Sequence, residues 1–455
     1  MNNKLSQCLL VVFFLNEIFW STAAASEEPT VLSFQGALSL AEERNPSAIA
    51  ASERVKQALE RLNQARAAVI PHVDASFSEN RQTINLDTLG IGSVLSSAPG
   101  GASIPSVTPA FNSFDARLKV AGQLFDVSLI KRLEAAAAGK NMSFEDARKV
   151  KQDAMALVGT LYIQALRSQE SLDLSEKVVR LNIWRHRIAK TRLQAGNGSQ
   201  SELESAAADL GLARYRWRTT FADAATARDD LKAALGLPQE QAVVFADKTP
   251  LLNISLVSPE RVKQELTKHP EVLSAEAQVH ARAAEEEAAW AELAPKISGT
   301  ANYGFSGQSP SNTNDTYFLG AELSMPVFDA GDRLAKAIEA KSRVEEAKVT
   351  LKDAKDVAEN KASAARDAFK TAVRLVQAKH LKLLQMDRQI NIVRARMQNG
   401  SSSSLDFIQT ETDLALSADD YEEAIALYRT AQINLAHALG VLDSYNNQKA
   451  VSNEK

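Results

Sequence analysis

Residues Asp332 to Phe407 read DRLAKAIEAKSRVEEAKVTLKDAKDVAENKASAARDAFKTAVRLVQAKHLKLLQMDRQINIVRARMQNGSSSSLDF, and from Asp332 to Gln398 there is neither proline nor glycine. Leu351, Ala354, Ala358, Ala365, Phe369, Ala372, Val376, Leu383, Met386, Ile390, Val393 and Met397 follow one another in steps of three and four, the spacing of one helix face. A heptad-like apolar seam results. At 1.5 Å per residue a helix over 332–398 is about 100 Å long, beyond any globular core, so it must pack in a bundle or coiled coil. Asn399-Gly400 permits the left-handed backbone that ends a helix, and the run Ser401 to Ser404 supplies an N-cap for the next. The chain therefore reverses, and a helix over about 405–439 returns antiparallel with Ile408, Ala415, Tyr421, Ile425, Tyr428, Leu435 and Leu439 facing inward.

The same arrangement stands earlier in the chain, with a long helix over about 128–194, the turn Ala195-Gly196-Asn197-Gly198-Ser199 and a helix over about 201–235. Self-comparison extends the repeat. Pro46 pairs with Pro270 and Pro71 with Pro295, a shift of 224, whereas RLQAG at Arg192 to Gly196 pairs with RMQNG at Arg396 to Gly400, a shift of 204. LFD at Leu124 to Asp126 likewise matches VFD at Val327 to Asp329, and ALGL at Ala234 to Leu237 matches ALGV at Ala438 to Val441. The lost register falls on the Gly/Ser/Pro-rich stretch LGIGSVLSSAPGGASIPSVTP ending at Pro109, so one loop, about Leu86 to Pro109, is longer in the first copy than its counterpart Gly307 to Asp315. The expected fold is mainly α with a small β part. It has two repeats, 26–257 and 258–442, followed by a tail at 443–455, and each repeat runs helix, strand, strand, long helix, turn, helix.

The strands, about 73–83, 112–122, 296–306 and 316–325, alternate by two: Phe114, Ala116, Leu118 and Val120 lie opposite Asp115, Arg117 and Lys119. Two readings fit. They are half-buried hairpins lying on a helical core, or they are membrane strands of the apolar-out, polar-in kind. Four strands cannot close a barrel and an open edge is not tolerated in lipid, so the second reading requires several chains to share one barrel.

The N-terminus carries Lys4, an apolar run from Leu9 to Leu15, and the small residues Ala23-Ala24-Ala25, the pattern of a secretory signal over 1–25. The only cysteine, Cys8, lies within it, so the exported chain has none and its stability must come from burial and association. Beyond it no run of eighteen apolar residues marks a helical span. A net charge of -4 provides no field for phosphate backbones, so nucleic acid is not an expected partner. The 6 histidines are scattered singly, without metal-ligand spacing, and no catalytic motif or phosphate-cradling glycine loop occurs. Neither an enzyme nor a cofactor is expected.

ALSLAEERNP at Ala37 to Pro46, AAVIPHVDASFS at Ala67 to Ser78, MPVFDAGDRLAKA at Met325 to Ala337, RLQAGNGSQSEL with RMQNGSSSSLDF, and the ALG closing each copy together resemble the TolC-like outer-membrane factors. The resemblance spans nearly the whole exported chain, in the family's order. It implies a homotrimer in the outer membrane of a Gram-negative bacterium, in contact with its lipid. Each chain would give four strands to a shared twelve-stranded β-barrel, and its helices to a long periplasmic α-helical tunnel. It implies a passive exit duct of a tripartite efflux pump or type I secretion system. The turns at Gly196, Asn197, Gly198 and Ser199, and at Asn399, Gly400 and Ser401, would face a periplasmic adaptor (membrane fusion) protein and an inner-membrane transporter. Acidic residues past the second turn would ring the narrowest aperture. The first such position falls on Asp406, the second on Gln409, which lacks the charge, and the first copy's equivalent is Glu202.

Beside this stands a second reading of Asp406 and Glu202: each lies in a helix's first turn, where a carboxylate complements the dipole by about 0.3 to 1 kcal/mol. Arg185, Arg187, Lys190 and Arg192, with Arg388, Arg394 and Arg396, read as solvated basic helix ends. Trp184, Trp217 and Trp290 read as core or interprotomer packing. The alternative function, from another class, is a soluble periplasmic coiled-coil adaptor or scaffold whose strands cap a helical hairpin.

Overall fold

A computed structural model describes residues 30–88, 106–247, 262 and 265–442. The signal segment, the tip of the long loop and the C-terminal tail lie outside the described residues.

The first repeat contains β1 (Thr30–Leu32), α1 (Phe34–Arg44), α2 (Pro46–Val69), β2 (His72–Gln82), β3 (Phe111–Phe125), α3 (Val127–Gln194), α4 (Gln200–Ala234) and β4 (Val243–Phe245). The second contains α5 (Pro270–Ala291), β5 (Lys296–Ser309), β6 (Asn312–Ser324), α6 (Asp332–Gln398) and α7 (Ser404–Ala438). The long helices fall where the apolar period puts them. Of the seam residues on α6, Ala358, Phe369, Ala372, Ile390 and Val393 are buried and the rest half-buried.

Each long helix starts at the aspartate of its Phe-Asp motif. The Asp126 carboxylate accepts from Ser128 N at 2.9 Å and caps α3. Asp329 accepts from Gly331 N at 3.0 Å and Arg333 N at 3.3 Å, while Ala330 and Gly331, both at positive φ, turn the chain into α6. The repeated ALG closures pack against the repeated Asn/His-Pro openings. Gly236, at φ 64°, sits where a Cβ would come within 2.9 Å of Arg44 O, and Gly440, at φ 68°, where a Cβ would come within 2.7 Å of Pro270. A side chain fits neither place, which is the physical content of the repeated glycine.

The main core lies at this level. Phe34, Leu38, Met155, Val158, Tyr162, Leu231, Ile433 and Leu435 join there, with Phe34 and Phe245 edge-on to Tyr162 at 5.6 and 5.2 Å. The parallel pair β1–β4 closes over it, a pairing that no local pattern signals because its partners lie 213 residues apart. α3 is the central beam and packs on α2, α4, α5 and α7, whereas α6 packs on α5 and α7.

The other sheet has the order β2-β3-β5-β6, antiparallel throughout, so the two hairpins join through β3 and β5. Two loop expectations change. Gly307 to Asp315 is not a loop: β5 and β6 run on to Ser309 and Asn312 and turn through Pro310-Ser311. The base of the long loop is a continued ladder, with Leu86 N donating to Ser106 O at 2.8 Å and Thr108 N to Ile84 O at 2.9 Å.

Candidate functional site

Two regions carry the functional expectations, the sheet at one end of the long helices and the helix turns at the other. Across the sheet, register places Val73, Val120, Ala301 and Leu319 in one row and Ala75, Leu118, Tyr303 and Tyr317 in the next, all on one face. That face is bare: Phe77 is 79%, Tyr317 82% and Leu319 81% exposed. The opposite face brings Asp115, Arg117, Asn302, Ser306 and Asn314 together, and Arg117 pairs with Asp115 and donates to Asn302 at 3.1 Å. Gly304 lies across from Arg117, where a Cβ would collide with that side chain. An apolar face left in water costs roughly 25 cal/mol per Å². Its contiguity across four strands therefore marks a surface built for lipid rather than hairpins resting on a helical core. Among the described residues no helix is long and apolar enough to cross a membrane.

Among the described residues the outer edges of β2 and β6 have no strand partner.

At the far end, α3 closes on Gly196 at φ 76°, with Asn197 N donating to Arg192 O at 2.9 Å and Gly196 N to Leu193 O at 3.1 Å. Gly198 follows where a Cβ would lie 2.9 Å from Leu193 N. Ser199 caps α4 through Glu202 N at 3.1 Å. The second turn repeats this with Gly400 at φ 73° and Ser401 N donating to Arg396 O at 2.8 Å, after the C-cap Asn399. Both are glycine-terminated helix ends in which N–H groups past the helix satisfy carbonyls of its last turn.

Asp406 is a capping residue. Ser403 Oγ accepts from Asp406 N at 3.1 Å, and Ser403 N donates back to Asp406 Oδ2 at 2.9 Å, a reciprocal box. The Ser403 amide foremost, then the Ser403 and Ser402 hydroxyls and the nearby Arg192 guanidinium, hold its carboxyl below the usual carboxylate range. The carboxylate is nonetheless exposed. Glu202 faces Arg192 at 3.4 Å.

Gln409 is hydrogen-bonded to its neighbours. Its Oε1 accepts from Arg185 Nη1 at 2.8 Å, and the same nitrogen lies 2.6 Å from Asp209 Oδ2. One arginine of α3 thus ties α4 to α7, and so the first hairpin to the second. The basic helix end read as solvated contains this cross-link. No local pattern signals it, because its partners lie 24 and 224 residues away. Lower on the same helices Arg167 joins Asp419 at 2.8 Å. Trp184 is outside the protomer core, 57% exposed with the Arg187 guanidinium 5.5 Å from its ring centre.

Among the described residues no group of three or more His, Cys, Asp or Glu is placed to hold a metal ion.

The sequence profile described as outer membrane efflux protein matches residues 37–237 and 262–441, the two repeats seen in the fold. Alkaline protease secretion protein AprF of Pseudomonas aeruginosa is 23% identical over 357 residues, covering 75% of this chain and 73% of AprF. Pyoverdine export outer membrane protein OpmQ of the same species is 25% identical over 401 residues, 86% of this chain and 81% of OpmQ. The crystal structure of the Campylobacter jejuni CmeC outer membrane channel superimposes with a TM-score of 0.75 at 18% identity, covering 92% of this chain and 89% of that one.

Proposed function

Because the chain belongs to the outer membrane efflux protein family, we propose that it serves as the passive exit duct of an efflux or secretion system through a shared barrel. Three copies join β2 of one protomer to β6 of the next, closing the sheet in the outer membrane. Their long helices then form a tunnel through the periplasm. The observation that carries this reading is the four-stranded sheet itself, with a lipid-suited face, a polar face and, among the described residues, two open edges. Main-chain groups on an open edge in hydrocarbon cost several kcal/mol each, and closure between chains removes that cost. The soluble scaffold reading leaves the same apolar face and both edges in water.

The turns around Gly196 and Gly400 lie at the pump-proximal end, where a periplasmic adaptor and an inner-membrane transporter dock. Asp406 rings the aperture there, with Gln409 held back by Arg185 and Glu202 held by Arg192. The protein supplies continuity and no catalysis. AprF and OpmQ are named for a protease and for pyoverdine respectively, which fits cargo choice lying in the transporter. Native mass spectrometry of the detergent-extracted protein tests the assembly. Three protomers are expected, and a folded monomer soluble without detergent would sink the reading.

A further inference from the structure

The repeat makes one joint twice, with different chemistry. In the first copy Asn45 caps α2 by accepting from Ser47 N at 2.9 Å through Oδ1, while its Nδ2 donates to Ala234 O, at the end of α4, at 2.8 Å. In the second copy His269 stands in its place. Nδ1 accepts from Glu271 N at 3.2 Å, and Nε2 lies 3.3 Å from His437 O, at the end of α7. A carbonyl can only accept, so Nε2 carries the proton and Nδ1 is bare. The ring is the neutral Nε2–H tautomer with both nitrogens committed, and it is buried. Gly440 leaves room for it, since a Cβ there would lie 3.1 Å from His269 Cδ2.

We propose that this joint is an acid-sensitive hinge between α5 and the end of α7, with Asn45 its pH-indifferent counterpart. Protonating Nδ1 turns the cap's acceptor into a donor aimed at the Glu271 N–H, so the cap is lost and two donors face each other. An asparagine amide makes the same two bonds and does not titrate.

The groups around the ring come from four helices. Glu271 on α5 favours the cation, but it is engaged by Lys361 of α6 at 3.0 Å and lies 3.7 Å from Lys149 of α3. His437 of α7 faces Asp153 of α3 at 2.7 Å, across a cleft of about 180 Å³ that all of these residues line. Burial foremost holds the His269 imidazole below its ordinary value of 6.5. The unfolded joint therefore binds a proton that the folded joint refuses. Stability is full above about pH 6.5 and falls as pH drops below it, with the opening equilibrium rising by up to about tenfold per pH unit.

The test is amide hydrogen exchange on the purified full-length protein in detergent at pH 7.5 and 5.5, with rates corrected for intrinsic pH dependence. Protection of the first turn of α5 should fall by up to about tenfold at pH 5.5, while the first turn of α2 is unchanged. His269→Asn should abolish the loss, His437→Gln should leave it in place, and Asn45→His should create the same loss in α2. Equal protection of α5 at both pH values overturns the proposal, as does a loss that survives His269→Asn or vanishes only in His437→Gln. If His269→Asn fails to assemble, Asn45→His decides: an α2 turn that stays protected at pH 5.5 refutes the mechanism.

Discussion

Asp406→Asn separates the two roles the structure allows this residue. Asparagine keeps a side-chain oxygen for the Ser403 N–H, which the carboxylate accepts at 2.9 Å, and keeps the backbone N–H that Ser403 Oγ accepts at 3.1 Å. What it loses is charge: the dipole interaction of about 0.3 to 1 kcal/mol and the attraction to Arg192, both reduced because the group is exposed. The stability cost is therefore about 0.5 kcal/mol per chain. The effect on ions is larger if three copies converge. A cation on the axis about 8 Å from each carboxylate gains about 0.5 kcal/mol apiece in water, or about 1.5 kcal/mol in all, close to a tenfold local enrichment. Screening lengths of about 30 Å at 0.01 M and 3 Å at 1 M salt leave most of this at low salt and almost none at high. Planar-bilayer recordings should show cation preference falling in Asp406→Asn at 0.01 M salt and matching wild type at 1 M, with the thermal midpoint nearly unchanged. Unaltered selectivity together with lost stability would refute the aperture role and leave a helix cap.

Gly440→Ala combines positive-φ strain of about 1 to 2 kcal/mol with a contact 2.7 Å from Pro270, so it should lower the thermal midpoint clearly, and Gly236→Ala against Arg44 O should do the same. Arg185→Met removes the ties to Asp209 and Gln409, so hydrogen exchange should rise in the first turns of α7 while the sheet stays protected. Glu170, pushed up to about 7 by burial foremost and then by Glu422, disfavours the fold increasingly as pH rises from 4.5 towards 7. Denaturant titration should therefore find Glu170→Gln stabilising above pH 7 and indistinguishable from wild type below about 4.5. Removing residues 89–105 while keeping the Leu86–Ser106 rung should leave the assembled mass unchanged.

The long helices, the four strands of the larger sheet and the helix turns were legible in the sequence because each rests on neighbours within a few residues, whereas β1, β4 and the extent of the β5–β6 hairpin were not. The step of three and four made α6, glycine at Gly196 and Gly400 ended the descending helices, and alternation by two gave each strand its faces. The resemblance of the two copies showed that Asn45-Pro46 and His269-Pro270 are equivalent. Only the tertiary structure decided what they are equivalent in, because the carbonyls they hold, Ala234 O and His437 O, arrive from 189 and 168 residues away. Arg185 was hidden for a related reason, its partners lying 24 and 224 residues away. A basic residue near a helix end interacts favourably with the dipole wherever it points, and only the packing of α3 against α4 and α7 turns it toward Asp209 and Gln409. Local periodicity thus determined the elements, their faces and the hairpin partners next along the chain, while the partners that join one repeat to the other came from chain closure over hundreds of residues, which no local pattern encodes.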